Sequence, residues 1–283
     1  MLTRRDAMLS AGAACLLGAT PEPGLAGIRA TLKGGRLGVA AIDLASGRRL
    51  ALDADARFAH CSVFKLPLVA AILARVDAGA LLLDQRVRVA PADLLPYAPV
   101  VRAHVAEGAL SLATLCEAAM TVSDNAAANL LLPLVGGTAG LTRWARRRGD
   151  VVTRFDRSEP SLNTNLPGDP RDTTSPAAML ALMREVLAGD ALLPASRERL
   201  AGWMAACATG GRRLRGGFPA GWRAGDRTGS GERGAVNDVA VAWPTLGGPP
   251  LLVAAFVDAP AADLATVEAA IAADGRLAAR LIA

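Results

Sequence analysis

The sequence predicts a mixed α/β fold of the α+β kind, with strands towards both ends of the chain and helices between them. Three observations carry this. Apolar runs over residues 66–76, 110–120 and 126–134 have the length and periodicity of helices. The run 235–243 alternates as a strand does, and a second, aromatic-bearing strand is expected near Trp222. An Ala-rich amphipathic helix is expected over 262–282, at the end of the chain. With 283 residues, 52% hydrophobic and 20% charged, the composition is globular, disorder is excluded and a substantial core can be buried.

Glycine and proline are spread along the chain, with no repeat and no low-complexity linker, so one large domain or two intimate lobes are allowed. The net charge of +5 comes from scattered arginines, Arg146, Arg147 and Arg148 among them. These lack the interleaved aromatics of a nucleic-acid surface and read as a solvated helix face, so no nucleic-acid partner is expected. A basic surface would instead help to gather anionic small substrates.

The first residues differ from the rest. Thr3-Arg4-Arg5-Asp6 precedes a short apolar run over 7–19, followed by small residues and prolines. This is the layout of an export signal, and its paired arginines resemble the twin-arginine address. Residues 1–26 are therefore expected to be a signal peptide, cut near Ala19 or Ala26, leaving 27–283. The apolar stretch is too short to span a bilayer, so no stable membrane insertion is expected after processing. Cys15 permits a lipoprotein reading, which Gly12-Ala13-Ala14 disfavours for want of a large aliphatic residue. The expected location is periplasmic or secreted.

Beyond that segment stand Cys61, Cys116 and Cys207, an odd number that implies no disulfide framework. The only histidines are His60 and His104, and no Cys or His pair has ligand spacing. No metal and no cofactor are expected. The shortage of histidine also bears on hydrolytic chemistry, because a Ser-His-Asp site needs an imidazole within reach of its serine. His60 lies on the same approach segment as Ser62, and His104 sits in a polar loop, so a serine nucleophile here would need lysine or a carboxylate as its base.

Ser62-Val63-Phe64-Lys65 supplies such a pair at the mouth of the helix expected over 66–76. A spacing of three puts hydroxyl and amine on one helical face. A helix N-terminus also offers unpaired N–H groups and a positive dipole end to a developing oxyanion. Pro67 suits the first turn. Read alone, the four residues fit a capping serine and a surface lysine better than a catalytic pair. Ser123-Asp124-Asn125 forms a polar turn between two apolar helices. It could be an N-cap, or a hydroxyl and a carboxamide that carry a proton and hold a substrate amide. In Asp226-Arg227-Thr228-Gly229-Ser230-Gly231, Arg227 could grip a carboxylate while Gly229 and Gly231 admit a ligand close to the backbone. A plain Gly-rich hairpin accounts for the same residues.

In this order and at these spacings the three motifs resemble the signature boxes of penicillin-recognising serine enzymes. Glu159-Pro160-Ser161-Leu162-Asn163, within the loop-like stretch 154–173, resembles the omega loop of class A β-lactamases. The likeness continues through 36–43 and 48–52, which resemble that family's first hairpin, through Pro219-Ala220-Gly221-Trp222, and through 236–240. It covers roughly 27–283. The resemblance implies a two-lobed fold: an antiparallel sheet flanked by helices, from about 27–60 and 206–283, and an all-helical lobe from about 61–205.

Carried over, the resemblance implies hydrolysis of the β-lactam ring of penicillins and cephalosporins through an acyl-enzyme on Ser62, giving antibiotic resistance. Lys65 and Glu159 compete as the base that activates Ser62. Glu159, with Asn163, would then activate the hydrolytic water. Ser123 would pass a proton to the leaving nitrogen, and Asn125 would hold the acylamide side chain. The backbone N–H groups of Ser62 and Ser230 would form the oxyanion hole. Arg227, Thr228, Gly229 and Ser230 would meet the substrate, with Tyr97 as an aromatic wall of the cleft. Two departures stand out. Arg227 occupies the place of the usual lysine, keeping charge and changing shape. Val236 stands where many relatives carry arginine, and Arg213 is the candidate replacement. Some relatives pair a cysteine at the Cys61 position with one after the third box, but Gly231 occupies that place and no such disulfide is expected. The partners implied are β-lactam antibiotics, acting on a monomer. The alternatives are a D-Ala-D-Ala peptidase or penicillin-binding protein, and a β-lactam sensor, both of which would keep the acyl group on Ser62.

Overall fold

A computed structural model describes residues 23–245 and 247–282. The paired arginines, the apolar run after them and Cys15 lie outside the described residues.

Helix α1 (Pro23–Ala30) leads to strand β1 (Arg36–Asp43), which turns at Gly47 (φ +75°) into β2 (Arg49–Leu52). Strand β3 (Phe58–Ala59) runs into a 3-10 turn, Cys61–Phe64, and then α2 (Lys65–Asp77). Next come β4 (Arg86–Arg88), the short α3 (Pro99–His104) and β5 (Ala109–Ser111), with β4 and β5 paired antiparallel. Helices α4 (Leu112–Thr121), α5 (Asn125–Leu131) and α6 (Gly137–Arg147) follow. A long loop then reaches β6 (Thr173–Thr174), which pairs with β3. Helices α7 (Pro176–Leu187), α8 (Pro194–Ala205) and α9 (Leu214–Gly217) lead back to β7 (Arg223–Ser230), β8 (Ala235–Trp243), β9 (Leu251–Asp258) and α10 (Leu264–Ala279).

The five long strands form one antiparallel sheet in the order β2-β1-β9-β8-β7. Chain ends thus meet in its centre, as the resemblance implied. Period-two alternation sends Leu251, Val253, Ala255 and Val257 of β9 to one face, against α1 and α10. Leu252, Ala254 and Phe256 go to the other, in one continuous core with the helices. A sheet covered on both faces needs apolar residues at successive positions, which is why β9 reads as an unbroken apolar run.

Helix α2 runs through the middle of the helical side, buried from Lys65 to Leu73 on every face. Side-chain caps fix several helix starts: Ser111 accepts from the Thr114 amide, Asp124 from Ala127, Ser175 from Ala178 and Asp263 from Thr266. The caps and Pro133 account for the differences from the predicted spans. The helix expected from 110 starts at Leu112, because Ala109–Ser111 is a strand and Ser111 the cap. The helix expected over 126–134 stops at Leu131 and tightens into a 3-10 turn carrying Pro133, which has no N–H for a further α-helical bond. The last helix starts at Leu264 behind Asp263 and tightens at Arg280–Ile282.

Candidate active site

The site lies where the 3-10 turn and α2, the polar turn before α5, the long loop and edge strand β7 converge. Cys61 (φ +47°) and Ser123 (φ +61°) both hold left-handed backbone, a conformation a non-glycine residue keeps only where its surroundings enforce it. Strand β7 lies directly behind the Ser62 turn. A Cβ on Gly229 would fall 2.8 Å from the His60 carbonyl oxygen and 3.1 Å from the Val63 amide nitrogen, so this position has room only for glycine. Asn237 on β8 ties the same segment down, donating to the Ala59 carbonyl at 2.8 Å and to the His60 carbonyl at 3.3 Å.

Ser62 and Lys65 are both buried. Lys65 Nζ donates to Ser62 Oγ at 3.0 Å, to Ser123 Oγ at 3.0 Å, to the Ser123 carbonyl at 2.9 Å and to Asn125 Oδ1 at 2.6 Å. Ser62 Oγ in turn donates to Glu159 Oε1 at 2.7 Å, and that same oxygen stands 3.0 Å from Lys65 Nζ. Asn163 Nδ2 donates to Glu159 Oε2 at 2.6 Å. Burial lowers the Lys65 ammonium to about 8, with Arg227 pushing the same way against the pull of Glu159. Burial works to raise Glu159, but the Lys65 charge and hydrogen bonds from Ser62, Lys65 and Asn163 hold its carboxyl below the usual value. The result is a dry carboxylate–ammonium pair bracketing a hydroxyl.

The loop that delivers Glu159 is closed at its neck. The Arg154 amide donates to the Thr173 carbonyl at 3.0 Å, Asp172 Oδ1 accepts from the amides of Asp156 and Arg157 at 2.8 and 2.9 Å, and the Asp172 amide returns a bond to Asp156 Oδ2 at 2.9 Å. Arg157 Nε adds an ion pair to Asp172 at 2.5 Å. Within the loop, Glu159 is clamped by its backbone: its amide donates to Asn129 Oδ1 at 3.0 Å and its carbonyl accepts from Asn129 Nδ2 at 2.9 Å. The Glu159-Pro160 peptide is cis.

Opposite, Arg227 is fully buried and donates through Nη2 to Ser123 Oγ. The guanidinium thus sits behind Ser123, with Nε and Nη1 left without partners. Thr228 is likewise engaged, its hydroxyl 2.5 Å from Thr209 Oγ1. Arg213 is no solvated loop residue. It is buried, donating to the carbonyls of Gly229 at 3.1 Å and Asn237 at 2.9 Å and to Ser230 Oγ at 2.8 Å, with Ser230 exposed at the strand end. Tyr97 is half exposed, and its carbonyl accepts from the Asn125 amide at 3.1 Å. It is a rim residue and not part of the core.

His60 is buried, both ring nitrogens lie against backbone carbonyls (Cys61 at 3.0 Å, Arg154 at 3.3 Å), and burial lowers its pKa against the pull of those carbonyls. His104 pairs with Glu107 at 2.6 Å. Neither reaches Ser62, in line with a lysine or carboxylate base. Cys61, Cys116 and Cys207 are free and buried, and a Cβ at Gly231 would fall 2.7 Å from Cys61 Sγ. Burial pushes the Cys61 thiol up to about 12. No cluster of three metal-ligating side chains occurs among the described residues.

Sequence reasoning missed Asn129, Asp172 and Asn237, which position the site without lining it. For Asn129 a signal existed: it stands four residues after Asn125, on the same face of α5.

Residues 26–282 match the model of the beta-lactamase enzyme family. Beta-lactamase L2 of Stenotrophomonas maltophilia is 46% identical over 248 residues, covering 88% of this chain and 82% of the relative. Beta-lactamase CTX-M-97 of Escherichia coli is 44% identical over 223 residues, 79% of this chain and 76% of the relative. Among solved structures, the class A beta-lactamase of the last common ancestor of Gram-negative bacteria superposes with a TM-score of 0.88 at 50% identity, covering 93% of this chain and 100% of that one. A beta lactamase from Xanthomonas campestris gives 0.86 at 45% identity, covering 92% and 99%.

Proposed function

Because the chain belongs to the beta-lactamase enzyme family and is a class A serine β-lactamase that hydrolyses β-lactam antibiotics, we propose that the work of opening and releasing the ring divides among its own residues as follows. Ser62 Oγ attacks the lactam carbonyl and gives its proton to Glu159. The donor directions support this choice of base: Lys65 donates to Ser62, so the serine proton is free to point at Glu159 Oε1. Lys65, its pKa lowered only to about 8, remains mostly charged at neutral pH and holds both oxygens as negative charge develops.

Ser123 delivers the proton to the ring nitrogen. Its hydroxyl oxygen accepts from two cations, Lys65 and Arg227, which leaves its own hydrogen directed away from both, towards the leaving nitrogen. The amides of Ser62 and Ser230 form the oxyanion hole, a reading supported by the packing of β7 against the Ser62 turn. Arg213 and Ser230 receive the substrate carboxylate, Asn125 the acylamide, and Tyr97 flanks the entrance. The proton taken by Glu159 passes through Lys65 to restore the one Ser123 gave up, and water activated by the freed Glu159 carboxylate with Asn163 then hydrolyses the ester. The Asn163–Glu159–Ser62 chain of hydrogen bonds carries this reading and distinguishes it from a peptidase or sensor, which retains the acyl group.

Export also belongs here. No helix among the described residues is long and apolar enough to cross a membrane. We infer a twin-arginine-type leader whose cut falls before Pro23, near Ala19, because Leu25 is fully buried in the core beside α10. Cutting after Ala26 would remove it. The remaining chain acts as a monomer with a sheet lobe and a helical lobe.

Stopped-flow hydrolysis of a chromogenic cephalosporin tests the assignment. The wild type should turn over repeatedly, Ser62→Ala should not react, and Glu159→Ala should at most acylate once and hold the adduct. A wild type that gives only one stoichiometric burst would overturn the hydrolytic role.

A further inference from the structure

Under the loop that carries Glu159, on the side away from the cleft, lies a cavity of about 900 Å³, within the size range of small-molecule sites. None of the catalytic side chains lines it. Its roof is the loop segment 165–170, and its floor is the start of β1 with β3. Four cationic side chains, Lys33, Arg36, Arg57 and Arg233, border it against two carboxylates, Asp169 and Asp258.

Both carboxylates are already engaged. Asp169 pairs with Arg171 at 2.8 Å and faces Arg157 at 3.9 Å, while Asp258 faces Arg36 at 3.6 Å and accepts from Asn165 Nδ2 at 3.1 Å. The cations are less fully satisfied. Arg57 uses only Nη1, towards the Val152 carbonyl and Thr173 Oγ1, and Arg233 has no side-chain partner among the described residues. Apolar surface lies beside this charge in Leu166 and Pro167 of the roof, while Phe58 on the floor is buried beneath Arg36, which stacks 4.4 Å over its ring.

We propose that this cavity binds a small aryl carboxylate, its anion held by the Arg57 and Arg233 guanidinium groups and its ring against Leu166 and Pro167 of the loop. The occupant leans on the same loop as Glu159 and Asn163. The loop is joined to the sheet here by the Asn165–Asp258 bond and by the Glu232 amide donating to the Asn163 carbonyl at 2.8 Å. Occupancy therefore slows both steps that Glu159 serves, attack by Ser62 and hydrolysis of the acyl group, lowering kcat more than it changes KM. That kinetic effect rests on the roles given above to Glu159 and Asn163; the binding does not.

Calorimetric titration of the full chain with 2-naphthoate tests the site, with cephalosporin kinetics at several naphthoate concentrations. Arg233 and Lys33 are exposed, so Lys33→Glu/Arg233→Glu should fold and keep basal turnover. Saturable binding should weaken about tenfold or more in this variant and stay within about twofold in Arg213→Ala, with non-competitive inhibition. Three results would overturn the proposal: no saturable binding, binding insensitive to the charge reversal, or binding lost in Arg213→Ala with competitive kinetics, which places naphthoate in the cleft. Binding that follows the charge reversal while kcat stays constant keeps the site and removes its link to the loop.

Discussion

The helical side of the site and the sheet side both bury charge, and they satisfy it differently. Around Ser62, the Lys65 ammonium meets four oxygen acceptors besides the Glu159 carboxylate, and each Glu159 oxygen is engaged. On the sheet side, Arg227 leaves Nε and Nη1 without partners, and so do one oxygen of Asp238 and both of Asp274. Asp226 is ion-paired with Arg215 at 3.1 Å, yet burial still raises its carboxyl, as it raises Asp238 and Asp274. A buried pair with all its bonds made is rigid and poised for proton transfer; buried groups with bonds missing weaken the fold. The Ser62 cluster holds its charge for chemistry, whereas the orphaned groups, most of them on the sheet side with Asp150 and Asn163 among those on the other, are tolerated at the expense of stability.

The sharpest way to break that contrast is at Glu159. Glu159→Gln keeps the size and loses the base, so steady-state turnover should fall about 10²- to 10⁴-fold, and any acyl group that does form should stay on Ser62 as a mass increase of one substrate. A small loss would mean that Lys65 alone activates both nucleophiles. Arg227→Ala should cost about 10²-fold in kcat, the scale of one charged donor to a reacting group. It should also move the alkaline limb of the pH profile. With Arg227 present, Lys65 loses its proton as pH rises through about 8; removing a neighbouring cation favours the ammonium, so the limb must shift upward. A limb that does not move assigns it to another group.

Arg213→Ala should act chiefly on KM, by about 10- to 100-fold for substrates bearing a carboxylate, and much less for an ester analogue. Equal losses for both would make Arg213 a purely structural tie. The smallest effect is on stability. The folded carboxyl of Asp274 is raised, so at neutral pH folding is opposed by its ionisation in the unfolded chain, and this penalty fades as pH falls towards 4. Asp274→Asn should stabilise the fold at pH 7 by about 1–3 kcal/mol, with the gain shrinking in denaturant titrations at pH 4.

The chemistry was more legible in the sequence than its support. The serine, lysine, glutamate and asparagine sit in short motifs whose spacing is itself geometric, and the fold brings them within hydrogen-bond distance. Arg213 was legible only as a candidate, since its three tethers come from residues 16 to 24 positions away. Asn237 reaches a segment 178 residues distant, and Asp172 is an ordinary loop acid until its neck closes. Such partnerships are made by tertiary folding, and no local periodicity encodes them. The orientation of Arg227 belongs with them: residue type told its charge, while burial decided that it faces Ser123.

The neck between Asp156 and Asp172 has a consequence for how such a chain can vary over generations. Glu159 stands three residues inside the neck and is clamped by Asn129, whereas the opposite arm, from 165 to 170, forms the roof of the cavity. Insertions or deletions confined to that arm alter the loop's length without lengthening the path from neck to base.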